Sequence, residues 1–332
     1  MALRFLAGAL ASVLLAASAA LADDVKPAVI YDLGGKFDKS FNEGVFNGAS
    51  RFAKEAGVEL RDLELQNEAQ REQALRKFAK DGFSPIVVPG FAWADSLAKV
   101  ADEFPKTKFA IIDMVVDKPN VQSLLFKAEE GSYLVGVIAA KTSKTGKVGF
   151  VGGMDIPLIS AFECGYAQGV KATNAQATVI ANMTGTTPAA WNDPVKGGEL
   201  AKAQMDQGAD IVYAAAGATG QGVLKAAADA GKFGIGVDSD QDNLFPGKVL
   251  TSMLKRVDVA TYNTFKSAKE GTWKAGPQVL GLKEGGVGYA EDEWNKPVLS
   301  DDAKKAAEAA KADIIAGKIQ VHNYMADNKC PV

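Results

Sequence analysis

Tyr31-Asp32-Leu33-Gly34-Gly35-Lys36-Phe37-Asp38-Lys39-Ser40-Phe41-Asn42 joins two patterns of different period. Before it, Ala28-Val29-Ile30-Tyr31 is a short apolar run that reads as a buried strand. After it, residues 43–55 place Val45, Phe46, Ala49, Phe52 and Ala53 on one helical face. A strand, a glycine turn and a helix make the first half of a βαβ unit, and open α/β sheets gather ligands at the carboxyl ends of their strands. Here that end carries Asp32, Asp38, a serine, Asn42 and two phenylalanines, including Phe41. Polar groups of this kind orient a ligand, and an aromatic face stacks on a flat ring. The competing reading is a plain turn, with Ser40 as helix N-cap and Glu43 completing a capping box.

Outward from that stretch, strand and helix patterns alternate from Val25 onward, which predicts parallel sheets covered by helices. Strand patterns at 28–31, 59–65, 84–90, 108–114 and 121–126 make one doubly wound lobe, the fourth ending beside Asp113. The cycle restarts with the helix 129–142 and continues with strands at 147–153, 177–183, 210–215, 233–238 and 248–254. A short strand at 278–282, a glycine-rich segment at 283–288 and a helix at 300–316, capped by Ser300, close the chain.

Residues 1–22 read as a secretory signal peptide: a basic start, an apolar stretch and the small-x-small site Ala20-Leu21-Ala22. Its removal leaves 310 of 332 residues, and the loss of Arg4 takes the formal charge from −3 to −4. A mildly acidic chain without basic clusters argues against a nucleic-acid partner. The single histidine, His322, reads as a solvated surface residue close to the C-terminus and argues against a His-based metal site or a Ser-His-Asp triad. The two cysteines, Cys164 and Cys330, fit either a disulfide in an oxidising compartment or, at Cys164, a buried thiol. No cysteine near the cleavage point offers a lipid attachment site, so an exported protein without a membrane anchor is expected.

Four further places carry polar or aromatic chemistry. Gly217-Ala218-Thr219-Gly220-Gln221-Gly222 follows a strand and opens a helix, but its G-x-x-G-x-G spacing fits a tight turn better than a dinucleotide or phosphate loop. Asp238-Ser239-Asp240-Gln241-Asp242 lacks the glycine and closing glutamate of a calcium loop. Asp238 suits paired hydrogen bonds from sugar hydroxyls, and Asp240 and Asp242 read as a solvated acidic turn. Lys255 and Arg256 follow a strand and suit a cleft aspartate, a ligand or solvent. Phe162 has the spacing of a core residue or a cleft residue, and Trp191 lies in a polar loop as an anchor or a ligand contact.

The ordered set Asp38-Lys39-Ser40-Phe41-Asn42, Gly152-Gly153-Met154-Asp155-Ile156-Pro157 with Phe162 and Gly165-Tyr166, Trp191-Asn192-Asp193-Pro194, Gly236-Val237-Asp238-Ser239-Asp240-Gln241 and Thr251-Ser252-Met253-Leu254-Lys255-Arg256 resembles the basic membrane protein family. These are bacterial substrate-binding proteins of ABC importers for purine nucleosides, and the resemblance covers nearly the whole chain beyond the signal. It implies an α/β type I periplasmic binding protein fold, with lobe 1 at 24–127 and 254–284 and lobe 2 at 128–253 and 285–332. It also implies a periplasmic location, a membrane permease as partner, and neither catalysis, cofactor nor metal. By the same resemblance, Phe41 stacks on a purine opposite Trp191 or Phe162, and Asp32, Asp38 and Asn42 meet the base edge. Asp238 takes the ribose hydroxyls with Lys255 close by, and Asp113 and Gly217 are further cleft positions. A sensor that delivers ligand to a membrane receptor shares this pattern, and an exported enzyme acting on nucleosides shares part of it.

Overall fold

The computed structural model describes residues 25–332, so the signal-peptide reading at 1–22 lies outside the described residues. The chain runs β1 (Ala28–Tyr31), α1 (Phe41–Ala56), β2 (Arg61–Glu64), α2 (Arg71–Lys80), β3 (Ile86–Pro89), α3 (Ala94–Glu103), β4 (Phe109–Ile112) and β5 (Val121–Phe126). It continues through α4 (Ala128–Thr142), β6 (Lys147–Met154), α5 (Pro157–Thr173), β7 (Thr178–Gly185), α6 (Pro194–Asp206), β8 (Ile211–Ala215), α7 (Thr219–Asp229), β9 (Phe233–Asp238) and β10 (Val249–Lys255). Last come α8 (Val257–Lys269), β11 (Gly276–Leu280), β12 (Val287–Tyr289) and α9 (Asp301–Ile315).

These strands form two six-stranded sheets, ordered β11-β5-β4-β3-β1-β2 and β12-β10-β9-β8-β6-β7. The order is the same in both, and the pairings are parallel except β10 with β12. In each sheet the winding reverses beside the first strand, between β1 and β3 and between β6 and β8. That reversal opens a crevice at the strands' carboxyl ends. The chain passes between sheets after β5, after β10 and between β11 and β12, so two α/β lobes share three crossings.

Strand residues divide between the two faces of each sheet with the period of two that a pleated strand requires. In β1, Ala28 and Ile30 join one apolar cluster with Leu75, Trp93 and Leu97, and Val29 and Tyr31 join another with Phe52 and Phe265. In β8, Ile211 and Tyr213 face α4 and α5, and Val212 and Ala214 pack with Ala201 and Val223. Burial on both faces is why these strands read as unbroken apolar runs.

Close helix packing rests on glycine. A Cβ on Gly169 would lie 2.1 Å from the Tyr133 carbonyl oxygen, and one on Gly136 2.3 Å from that of Tyr166, so α4 and α5 meet backbone to backbone. Cys164 of α5 bonds to Cys330, and Gln168 one turn further on exchanges two hydrogen bonds, each 2.9 Å, with the His322 backbone. The tail is thereby fastened along α5, which decides the cysteine alternative in favour of the disulfide.

Two segments differ from expectation. The glycine-rich segment contains β12, whose pairing with β10 supplies hydrogen bonds that three residues of pattern do not announce. The polar loop that holds Trp191 gives way to α6 already at Pro194, because Asp193 accepts the Lys196 N–H at 2.9 Å as a cap and Pro194 takes the first helical position.

Candidate functional site

Asp32, Asp38, Phe41, Asn42, Asp113, Phe162, Trp191, Gly217, Asp238 and Lys255 all line one cleft between the two lobes. Its volume is about 130 Å³, some ten times the ~10–15 Å³ that a single water needs. Ala215 and Val237 at the ends of β8 and β9 line it from one lobe, and Pro89 and Gly90 at the end of β3 line it from the other. The walls are mostly apolar with a few converging polar groups, the composition of a small-molecule site.

The segment 32–42 is held by its own chemistry. The Lys36 N–H donates to Glu64 at 3.0 Å, its ammonium pairs with Asp62, and Asn42 Nδ2 donates to the Gly35 carbonyl at 3.0 Å. Gly35 has φ +80°, where a side chain would be strained. Ser40 is not the side-chain cap that its sequence position suggests. The carboxylate of Asp38 does that work, accepting the N–H groups of Ser40 at 2.8 Å, Asn42 at 3.0 Å and Glu43 at 3.1 Å. Asp38 thus sits at the positive end of α1, where a carboxylate is favoured. Burial nevertheless pushes its carboxyl up to about 7, against those three donors and with added repulsion from Asp238.

Ser40 Oγ instead crosses the cleft and donates to Asp238 Oδ2 at 2.5 Å. Ser239 Oγ donates to the Ser40 carbonyl at 2.8 Å, and Gln241 Nε2 donates to the Lys39 carbonyl at 2.9 Å. Ser239 and Gln241 are contacts that the sequence reading did not include. Nothing local marks them, since each acts on a backbone atom some 200 positions away.

Asp113 and Asp238 occupy corresponding places, one past the end of β4 and one at the end of β9. Both take positive φ, 70° and 64°, a region that aspartate tolerates better than most residues. Lys255 ends β10 and pairs with Asp113 at 2.6 Å, the two side chains being only 3 % and 6 % exposed. Its ammonium lies 4.8 Å from the Phe41 ring centre, 5.3 Å from Phe126 and 5.6 Å from Phe162, a cation held among aromatic faces. Burial pushes the Asp238 carboxyl up, and the nearby Lys255 charge and the Ser40 hydroxyl oppose the shift. Arg256 faces away and pairs with Asp258 at 2.9 Å.

The aromatic alternatives resolve into shared roles. Phe162 is 3 % exposed, belongs to the core of the second lobe and also borders the cleft. Trp191 packs on Gly153, where a Cβ would lie 2.3 Å from its ring, so it anchors its loop and lines the cleft as well. Gly217, at φ +56°, lies against the Trp191 carbonyl, and Thr219 Oγ1 ties the Trp191 loop to α7 with a 2.8 Å bond to Ala190. Gly222 has a structural cause: a Cβ there would stand 1.8 Å from the Pro194 carbonyl oxygen on α6.

One expectation is corrected outright. Asp242 is not a solvated turn residue; it is fully buried, accepting Ser252 Oγ at 2.7 Å and Asn295 Nδ2 at 2.8 Å. Burial pushes its carboxyl up to about 8. Asp240, Asp242 and Asp292 bring carboxylate oxygens within 4.8 Å of one another, but both Asp242 oxygens are already committed. The sequence reading also passed over Arg71, which holds Asp32 Oδ2 through Nε at 3.1 Å and Nη2 at 2.7 Å. Its partner lies 39 positions away, and no motif surrounds it.

Residues 26–324 match the family described as ABC transporter substrate-binding protein PnrA-like. An uncharacterized lipoprotein of Pyrococcus abyssi is 35% identical over 306 residues, covering 87% of this chain and 74% of its own. The ABC transporter nucleoside-binding protein BmpA of Lactococcus lactis is 33% identical over 321 residues, covering 90% of this chain and 89% of its own. A solute-binding protein of an ABC transporter system from Aeropyrum pernix superposes with a TM-score of 0.83 at 32% identity, covering 90% of this chain and 93% of that one. A LacI transcriptional regulator from a Rhodococcus species shares the fold at 16% identity, with a TM-score of 0.61 over 82% of this chain and 98% of that one. The fold is therefore that of type I periplasmic binding proteins, the place of work is outside the cytoplasm, and the role is binding rather than catalysis. The chain belongs to the Bmp family of PnrA-like ABC transporter substrate-binding proteins.

Proposed function

We propose that this protein is the periplasmic receptor of an ABC importer for purine nucleosides. The observation that carries the reading is the convergence, in one cleft between the lobes, of aromatic rings with a buried carboxylate and lysine. Phe41 on the first lobe and Trp191 on the second flank the base. Trp191 suits the stacking role better than Phe162, because Phe162 has almost no free surface left. Asp238 has one oxygen engaged by Ser40, and its other oxygen accepts the ribose hydroxyls beside Lys255. Asp113 supports the site through Lys255, and Gly217 brings backbone close to the ligand. The name of the Lactococcus relative points to the same ligand class.

The lobes close on the ligand like a hinge, and a membrane permease recognises the closed form. Against the expected limits of 24–127 with 254–284 and 128–253 with 285–332, we set the second crossing just after Lys255, where β10 ends, so that the first lobe takes 256–284 and the second 128–255. Relatives carry lipoprotein names, and here the disulfide engages Cys164 and Cys330.

Calorimetric titration with inosine and guanosine tests the reading. The wild type binds both, and Asp238→Ala loses affinity by at least about a hundredfold, the worth of two hydrogen bonds to a charged acceptor. The variant still folds, because Lys255 keeps Asp113 as its partner. Unchanged affinity removes Asp238 from the site.

A further inference from the structure

Three carbonyl oxygens in succession on the first lobe, those of Asp38, Lys39 and Ser40, each accept a hydrogen bond from a side chain of the second. Gln221 Nε2 on α7 donates to Asp38 at 3.3 Å. Gln241 Nε2 donates to Lys39 at 2.9 Å and Ser239 Oγ to Ser40 at 2.8 Å, both from the loop after β9. None of the three donors lines the cleft. Gln241 is held for this task by its own lobe and is only 1 % exposed. Its Oε1 accepts the Val237 N–H at 2.9 Å, and its backbone N–H donates to Ser252 Oγ at 3.0 Å. Gly236 leaves the room, since a Cβ there would lie 2.6 Å from that Oε1. With the amide oxygen fixed on a donor, the amide NH₂ is turned toward Lys39. On the facing side, Lys39 holds φ +62°, a left-handed conformation that disfavours lysine and persists only where the surroundings fix it.

We propose that Gln221, Ser239 and Gln241 form a clasp that holds the lobes together directly, setting how tightly every ligand is bound and not which one is chosen. This rests on the hinge motion of the reading above and not on the identity of the ligand. A backbone carbonyl is the same acceptor whatever the cleft contains, so the clasp favours all closed complexes equally. A ligand that requires the closed form binds with an apparent affinity scaled by the fraction of protein already closed. Opening hands the three donors and their carbonyls to water, so each bond counts only by its net worth, about 2- to 12-fold in the closed-to-open ratio.

Small-angle X-ray scattering of refolded, ligand-free protein tests the clasp, comparing the wild type with Gln241→Ala and with the pair Gln221→Ala, Ser239→Ala. The free variants show a larger radius of gyration than the free wild type, and saturating inosine returns them to the compact value. By titration, inosine and guanosine are weakened by one common factor, at most about 2- to 12-fold for each bond removed, and their ratio is unchanged. The pair removes two half-buried donors, so it carries the test should Gln241→Ala fail to fold. Free variants as compact as the wild type, with inosine still compacting all of them, reduce these residues to a fixed pivot and overturn the proposal. A loss confined to one nucleoside makes them ligand contacts and overturns it as well. If neither mutation nor ligand changes the dimensions, the hinge motion itself falls and the clasp with it. If neither nucleoside binds, the nucleoside reading fails, and scattering of the free proteins still decides the clasp.

Discussion

Asp38 and Asp238 face the same cleft from opposite lobes, and their surroundings give them different work. Asp38 is surrounded by N–H groups of its own segment, and Asp238 by a hydroxyl from the other lobe and by Lys255. Removing the Asp38 carboxylate should therefore act mainly on stability. We expect Asp38→Ala to cost about 1–2 kcal/mol, the usual worth of a helix cap, read as a lower Tm. Nucleoside affinity should fall far less than in Asp238→Ala, and comparing the two variants by titration checks the division. Most of the cleft positions lie at strand ends and in the adjoining loops, where the topology must bring them together, whereas Phe41 and Asn42 open α1 and Phe162 lies within α5; Asp113 and Gly217 were expected there by the family resemblance. Which oxygen of which carboxylate is engaged was not legible, because it depends on partners distant in the chain, such as Arg71 for Asp32 and Ser40 for Asp238.

At the scale of elements, the glycines of α4 and α5 set how near the helices lie. Glycine in a helix interior is unfavourable by about 1 kcal/mol relative to alanine, so Gly169→Ala would stabilise an isolated helix. Here the added methyl meets the Tyr133 carbonyl oxygen at 2.1 Å, and the backbones must separate. We expect a net loss of about 1–3 kcal/mol, the range for overpacking, seen as a lower Tm in thermal unfolding. A higher Tm would mean that the helices adjust freely. The central strands were readable because both of their faces are covered, and apolar runs then mark strands. The start of α6 and the strand β12 were not, since one depends on a cap within a polar loop and the other on a neighbour that only the folded sheet supplies.

At the scale of the whole molecule, three buried carboxyls are pushed in the same direction. Burial raises Asp38 and Glu129 to about 7 and Asp242 to about 8. The lowered carboxyls, Glu72, Glu103 and Glu284, lie at the surface, where solvent screens their contribution. A carboxyl whose pKa is higher in the folded state binds more protons there than when unfolded. Its stabilising contribution is complete below the unfolded value near 4 and is lost as pH rises through the folded value. The ligand-free protein should therefore gain Tm as pH falls from about 8 to about 5, and a Tm that is flat or falling over that range would show these groups to be ionised in the fold. The disulfide adds a second global term: it closes a span of 166 positions, and Cys330→Ser should cost about 2–4 kcal/mol. The central claim, a purine nucleoside held between the lobes, is tested most directly by thermal unfolding of refolded, ligand-free protein against nucleosides, free bases, sugars and amino acids. A ligand at about 100 times its Kd adds about 2.7 kcal/mol. The account predicts a clear rise in Tm with inosine or guanosine and much less with hypoxanthine, guanine or ribose. A rise with sugars or amino acids and none with any purine nucleoside would contradict it.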